Sequence, residues 1–221
     1  MADRQNTRPD ARQRLISAAI AIFAENGFDG TTTRTLADKA QVNLSAIPYY
    51  FRGKEGLYHA TVTHIADILS ARLDPFLRQI EGRTPSDLDP AAARKLVRQG
   101  LTTMVAVMCG DPSAQHFMQI ILREQMTPTP AFDLIYPRVM KRVLAAFATL
   151  IAAATGETDK RQCRLQAVLF IGQVVVFRVG RATVVRRLGM KGYTEGEIAE
   201  IQAAVVSRAM AALDFMASQH Q

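Results

Sequence analysis

A long amphipathic stripe constrains this chain more than any other feature. Tyr58, Val62, Ile65, Leu69, Leu73, Phe76 and Ile80 recur in steps of three and four, the spacing of one helix face. The pattern predicts a helix from about Lys54 to the break at Glu81-Gly82, bent in its last third by Pro75. A helix of that length exceeds what a small head needs, so it must carry the segments before it on a larger body. Those segments begin with a helix opened by Pro9 or Asp10, whose Leu15, Ile16, Ala19, Ile22 and Phe23 face inward. Gly27 sits where a left-handed C-cap would end it. Thr32 then caps a short helix over 33–40 with Leu36, Ala37 and Ala40 inward. Gln41-Val42 forms a turn, and Asn43 caps a third helix over about 44–50, anchored by Ile47, Tyr50 and Phe51. Neither short helix is stable alone. Two of them joined by a tight turn make a helix-turn-helix.

The remainder is also helical. Stretches over 91–109, 113–126, 132–154, 159–179 and 194–216 keep helical spacing between breaks at Gly82 to Pro90, Gly110-Asp111-Pro112, Thr127-Pro128-Thr129-Pro130 and Thr155-Gly156. Ser113 is placed to cap one of them. No window alternates as a strand would. The expected fold is all-α: an N-terminal three-helix head on a larger helical domain. The expected organisation is an arm over 1–9, a DNA-binding domain over 10–56, and a ligand-binding and dimerisation domain over 57–221.

Residues 165–177 carry only Gln166 and Gln173 as strongly polar side chains. A helix apolar nearly all round must be covered all round. The last helix offers a matching stripe: Ile198, Ile201, Val205, Ala209, Ala212, Leu213 and Met216. Two helices from each of two subunits would form a four-helix interface. The apolar run is about 13 residues, short of the ~20 of a membrane span. The charged N-terminus is not a secretory signal. The location expected is cytoplasmic, without membrane contact. Cys109 and Cys163 lie in apolar surroundings and read as reduced core thiols.

The chain carries a formal +7, which suits DNA, RNA or an anionic surface without selecting among them. The first 56 residues hold eight basic and six acidic side chains, so a DNA-reading role for the head rests on pattern, not on charge. The densest basic run has eight Lys and Arg between 160 and 191 with no acid, and reads as a solvated rim.

On the third helix, Asn43, Leu44, Ser45, Ala46 and Tyr49 are the residues free to face a major groove, where base-edge patterns are unique. Thr33, Arg34, Tyr49 and Lys54 are placed for phosphates, which set register and not sequence. Arg4 and Arg8 of the arm add salt-dependent affinity if they reach DNA.

These residues carry a resemblance. Gly27-Phe28-Asp29-Gly30-Thr31-Thr32, Leu36-Ala37-Asp38-Lys39-Ala40, Val42-Asn43 and Tyr50-Phe51-Arg52-Gly53-Lys54-Glu55-Gly56-Leu57 together resemble the DNA-binding domain of the TetR family of bacterial regulators. The phrase Ile47-Pro48-Tyr49-Tyr50-Phe51-Arg52-Gly53-Lys54-Glu55 and the later Arg123-Glu124-Gln125-Met126 with Pro130-Ala131-Phe132 and Ile135-Tyr136 are similar to its CecR-like branch. The resemblance implies a homodimer on a roughly palindromic operator, usually a repressor, released by a small ligand. It also assigns a phosphate contact to Lys54. Pro48 stands where the family often has a phosphate-contacting Tyr, which moves that role to Tyr49.

An effector site is expected among the middle helices. His116, Gln119, Arg123 and Tyr136 offer polar groups, and Met104 and Met108 an adaptable wall; Arg123 and Glu124 equally suit structural ion partners or caps for the nearby helix end. An amphipathic, antibiotic-like molecule suits that mixture. No cofactor or metal is expected. No HExxH, GxxxxGK, GxSxG or CxxC motif occurs, and His59 and His64 are five apart, off the i, i+4 spacing of a helical metal pair. An enzyme is therefore disfavoured. A helical adaptor that binds protein and not DNA is the other alternative.

Overall fold

The structure is a computed structural model describing residues 10–110 and 114–220. The arm with Arg4 and Arg8, and the expected cap Ser113, lie outside the described residues. Within them the chain is helical throughout, with no strand. The helices are α1 (Ala11–Asn26), α2 (Thr33–Ala40), α3 (Ala46–Phe51), α4 (Lys54–Leu77), α5 (Pro90–Cys109), α6 (Ala114–Met126), α7 (Phe132–Ile135), α8 (Lys141–Thr155), α9 (Lys160–Val179), α10 (Arg181–Leu188) and α11 (Glu195–Ser218).

The expected single helix over 132–154 is interrupted. Tyr136–Met140 forms a π-helical turn between α7 and α8. Pro137 lacks an N–H and its ring displaces the carbonyl a turn earlier, so the regular ladder cannot run through it. Helix α10 falls in a stretch for which no element was expected. The other boundaries follow their caps. Asp89 accepts from Ala91 and Ala92, Asp159 from Arg161, and Thr194 pairs with Glu197 in a capping box.

The chain divides into two compact units, and the division differs from the expected one at 56/57. The first unit joins the described residues up to Asp67 with Gln115–Ile135. The second comprises Ile68–Ala114 and Tyr136–Gln221. In the second unit α8 packs on α5 and α9, and α11 packs on α5 and α8. Its centre holds Phe76, Leu101, Phe147, Leu150, Val174 and Leu213, all 2% exposed or less. Gly100 makes the closest approach there. A Cβ would stand 2.5 Å from the Phe76 ring and 2.9 Å from that of Phe147. Arg142 ties α8 to the end of α4 through Asp74 at 2.9 Å and Glu81 at 2.6 Å. Its guanidinium holds the Asp74 carboxyl below its ordinary value.

Cys109 and Cys163 are free and buried, as thiols in apolar surroundings should be. Burial pushes the Cys109 thiol up to about 11. It raises Cys163 as well, helped by the charges of Glu157 and Asp159.

Candidate nucleic-acid interface

The first unit builds a short helix and anchors it from behind. Asp10 caps α1 by accepting from the Gln13 N–H at 2.7 Å. The inner face of α1 is fully covered, with Leu15, Ala19, Phe23 and Ala24 all at 0–1% exposure. Thr32 Oγ1 accepts from the Thr35 N–H at 3.1 Å and starts α2. Gln41 ends α2 in the left-handed region at φ 52°, and its N–H returns to Ala37 and Asp38. Glycine would adopt that conformation at lower cost. Asn43 then caps the next turn, its Oδ1 accepting from the Ser45 N–H at 2.9 Å and the Ser45 hydroxyl at 2.8 Å.

Helix α3 is held by Ile47 (0% exposed) and Phe51 (7%). Tyr50, expected to be a third anchor, is 42% exposed and meets Tyr49 edge-on at 4.8 Å between ring centroids. The reason is length. Helix α3 makes under two turns before Arg52 turns left-handed at φ 63°, so Ile47 and Phe51, one turn apart, define its buried edge. Its other side is open. Leu44 (46%), Tyr49 (79%), Asn43, Ser45 and Pro48 are exposed, and Ala46 is half-buried. Asn43, Ser45, Ala46, Tyr49 and Tyr50 line one shallow depression with Gln41.

The junction to α4 is close. A Cβ on Gly56 would sit 1.8 Å from the Phe51 carbonyl oxygen, so only glycine lets α3 abut α4 at this distance. Lys54 braces the same region. Its ammonium donates to the carbonyls of Phe28 and Thr31, both at 3.0 Å, and stands 4.2 Å from the centre of the Phe28 ring. Two of its three protons are therefore committed within the protein. Arg34 is exposed and Thr33 half-buried in the first turn of α2, where backbone N–H groups lack helical partners.

Helix α6 contributes to this unit through two adjacent residues. Arg123, expected at an effector, donates to the carbonyls of Phe23 at 2.7 Å and Glu25 at 3.2 Å. It thus satisfies oxygens at the C-terminus of α1, where positive charge is favoured. Glu124 is 2% exposed. It accepts from the Tyr58 hydroxyl at 2.6 Å, the Thr129 N–H at 3.0 Å and the Thr129 hydroxyl at 2.9 Å. Burial, then the bond to Glu124, raises the Tyr58 phenol well above its ordinary value. Glu124 was read from the sequence only as a structural partner or helix cap beside Arg123, and its burial was not expected, although it follows Phe117, Ile120 and Ile121 at the next inward position of α6. A carboxylate on an apolar stripe was the available signal.

The other expected effector residues are dispersed. His116 is half-buried and Gln119 exposed in the first unit. Met104 is buried, Met108 half-buried and Tyr136 exposed in the second. A groove of about 800 Å³ runs between α8 and α9 in the second unit, and of these residues only Tyr136 lines it.

A short helix held by two anchors, its outer side bare, joined by a tight turn to the helix before it, is the arrangement of a helix-turn-helix. Known proteins agree. Residues 15–61 match the bacterial regulatory proteins of the tetR family, and residues 93–216 match the C-terminal domain of the HTH-type transcriptional dual regulator CecR. The CecR of Shigella flexneri is 33% identical over 187 residues, covering 84% of this chain and 83% of that protein. RutR of Escherichia coli K12 is 38% identical over 65 residues, covering 29% of this chain and 31% of its own. Among solved structures, AibR in complex with isovaleryl coenzyme A and operator DNA aligns with a TM-score of 0.65 at 14% identity, over 90% of this chain and 97% of that one. A TetR-like regulator from Rhodococcus sp. RHA1 aligns at 0.61 and 18% identity, over 92% and 98%. The chain belongs to the TetR family of transcription regulators, in its CecR-like branch.

Proposed function

We propose that the chain is a homodimeric, sequence-specific DNA-binding repressor that occupies a roughly palindromic operator and is released by a small-molecule effector. One observation carries the reading: α3 is fixed by Ile47 and Phe51 while Leu44, Ser45, Pro48 and Tyr49 stay uncovered. An α-helix presented in this way fits a major groove. Asn43, Leu44, Ser45, Ala46 and Tyr49 face the bases. Thr33, Arg34 and Lys54 meet phosphates, Lys54 with its remaining proton.

Support for a second copy comes from α9. Leu165, Val168, Leu169, Val176 and Val179 are 47–55% exposed in the single chain, and Phe215 on α11 is 69% exposed. An exposed apolar row such as the one along α9 marks an interaction surface. Helix α9 also has the length and composition of a membrane span. Its opposite face is packed in protein through Cys163, Ala167, Phe170 and Val174, which favours a helical partner over lipid. Two α3 helices reading successive grooves need a spacing of about 34–36 Å.

The AibR structure contains a coenzyme A thioester together with operator DNA, which supports effector control as a reading here. We place an effector among the helices after α4, with Met104, Met108 and Tyr136 of the second unit, and separately His116 and Gln119 of the first, as the side chains to vary. Arg123 must release Phe23 and Glu25 before it can reach a ligand. An amphipathic, antibiotic-like molecule suits the mixture of thioether and polar groups.

The test is selection of bound sequences from a random DNA library, followed by mobility shifts across a salt series and with candidate effectors. Recovery of a two-fold symmetric site, with affinity falling as salt rises, supports the reading. Recovery of no sequence favours a helical adaptor instead.

A further inference from the structure

The outer side of α3 has an unusual chemistry for a DNA reader. Residues 43–51 contain no Lys, Arg, His, Asp or Glu. The commonest specific contact to guanine, a two-pronged donation from Arg or Lys to N7 and O6, is thus not available from this element. What it offers is one amide, one hydroxyl, two phenols and an apolar set.

The hydrogen bonds fix the polarity of the amide and the hydroxyl. The Ser45 N–H can only donate, so the Asn43 atom it meets at 2.9 Å is the carbonyl oxygen Oδ1. That oxygen cannot donate, so the Ser45 hydroxyl at 2.8 Å must give its proton to it. Asn43 Nδ2 is left without a partner among the described residues, as a pure donor. Ser45 Oγ, its proton committed, is left as a pure acceptor. Guanine shows two acceptors in the major groove and adenine shows one acceptor and one donor, N7 and N6–H₂. A donor beside an acceptor matches adenine. It also matches guanine O6 together with the N4–H₂ of its paired cytosine, so hydrogen bonding alone does not decide.

The apolar neighbours decide. Leu44 is 46% exposed, Ala46 half-buried and Pro48 exposed, on either side of Ser45. Thymine places a C5-methyl in the major groove where cytosine has a hydrogen. Only the methyl gives these side chains apolar surface to bury.

We infer that α3 reads A·T pairs, with Leu44 and Ala46 against thymine methyls and the Asn43–Ser45 pair on the adenine edge. The inference rests on the DNA-binding reading above and specifies which base pairs that same surface selects.

The experiment uses the full-length chain and the half-site recovered by selection. Each thymine in the half-site is replaced in turn by deoxyuridine, which lacks only the methyl, and affinity is measured. At one or two positions per half-site the affinity should fall about fourfold, the effect of one buried methyl-sized group. Leu44→Ala should weaken binding to the thymine site and abolish the thymine-to-uracil difference there. This second readout is one that general destabilisation would not move. The uracil measurement itself needs only the unaltered protein, so it stands even if the variant fails to fold. Full affinity with every thymine replaced would overturn the inference and leave DNA binding intact. A selected core made of G·C pairs would do the same. Failure to select any DNA would remove the DNA-binding reading itself, and the base assignment with it.

Discussion

Glu124 is the residue whose replacement most sharply tests how the first unit is held together. Its carboxylate is 2% exposed and accepts from Tyr58 and Thr129. Glu124→Ala removes the acceptor of the Tyr58 hydroxyl. Tyr58 is only 7% exposed, so that hydroxyl is left unpaired at a cost of about 1–3 kcal/mol. Thr129 is exposed and its N–H regains water, which contributes little. The void left by the shortened side chain adds about 1 kcal/mol. Relief from keeping a carboxylate out of water works in the other direction. These costs sum to about 2–4 kcal/mol and the relief lowers the net expectation to a loss of about 1–3 kcal/mol, still a large share of the ~5–15 kcal/mol by which domains are stable. Glu124→Gln should lose less, about 1–2 kcal/mol. Its remaining oxygen must serve the Thr129 N–H, and its NH₂ then donates to a Tyr58 oxygen whose own proton has no acceptor. Tyr58→Phe completes a double-mutant cycle with Glu124→Ala, and the coupling should reach about 1–2 kcal/mol. Urea unfolding followed by circular dichroism, with unchanged slope across variants, measures the parent and its four variants. A Glu124→Ala variant within about 0.5 kcal/mol of the parent, or zero coupling, refutes the argument.

Three further outcomes can be checked. Gly56→Ala would normally stabilise a helix by about 0.5–1 kcal/mol. Here the Cβ meets the Phe51 carbonyl at 1.8 Å, so the sign should reverse to a loss of about 2 kcal/mol or more, seen as a lower urea midpoint together with weakened operator binding. Raising the pH should destabilise the chain through Tyr58: its phenol is held protonated in the fold, so this contribution is whole below the unfolded value near 10 and falls as pH climbs above it. Tyr58→Phe should flatten that alkaline decline in thermal melts. Leu169→Glu places a charge on the exposed apolar row of α9 and should shift sedimentation from dimer to monomer while α-helical content is kept. A dimer of unchanged strength would move the interface elsewhere.

The all-α class and the helix-turn-helix were legible because they depend on local rules. Apolar spacing at Leu15, Ile16, Ala19, Ile22 and Phe23 and caps at Asp10, Thr32, Asp159 and Thr194 act within a few residues of themselves. The outer side of α3 was legible for the same reason: once Ile47 is inward, Leu44, Ser45 and Tyr49 must point elsewhere. Tyr50 was misplaced because periodicity assumes a helix that continues, whereas Arg52 ends α3 by turning left-handed. The break at Tyr136–Met140 escaped the spacing pattern, because apolar periodicity carries across Pro137 whereas the backbone hydrogen-bond ladder does not.

Lys54 and Arg123 show what the linear pattern does not contain. Both were read by charge, Lys54 as a partner for phosphate and Arg123 for an effector or a nearby helix end. Both are engaged by carbonyl oxygens, of Phe28 and Thr31 for Lys54 and of Phe23 and Glu25 for Arg123. Those oxygens are available only because a helix end or a loop, 23 to 100 residues away along the chain, stops beside them. The order of residues therefore determines which segments are helices, where they begin and which side each must bury, because these follow from neighbours three or four positions apart. Which cation meets which carbonyl, how Glu124 comes to be enclosed with Tyr58, and that 115–135 joins the N-terminal unit were decided by folding in three dimensions. Desolvated polar groups must find partners there, and the partners that satisfy them are distant in sequence.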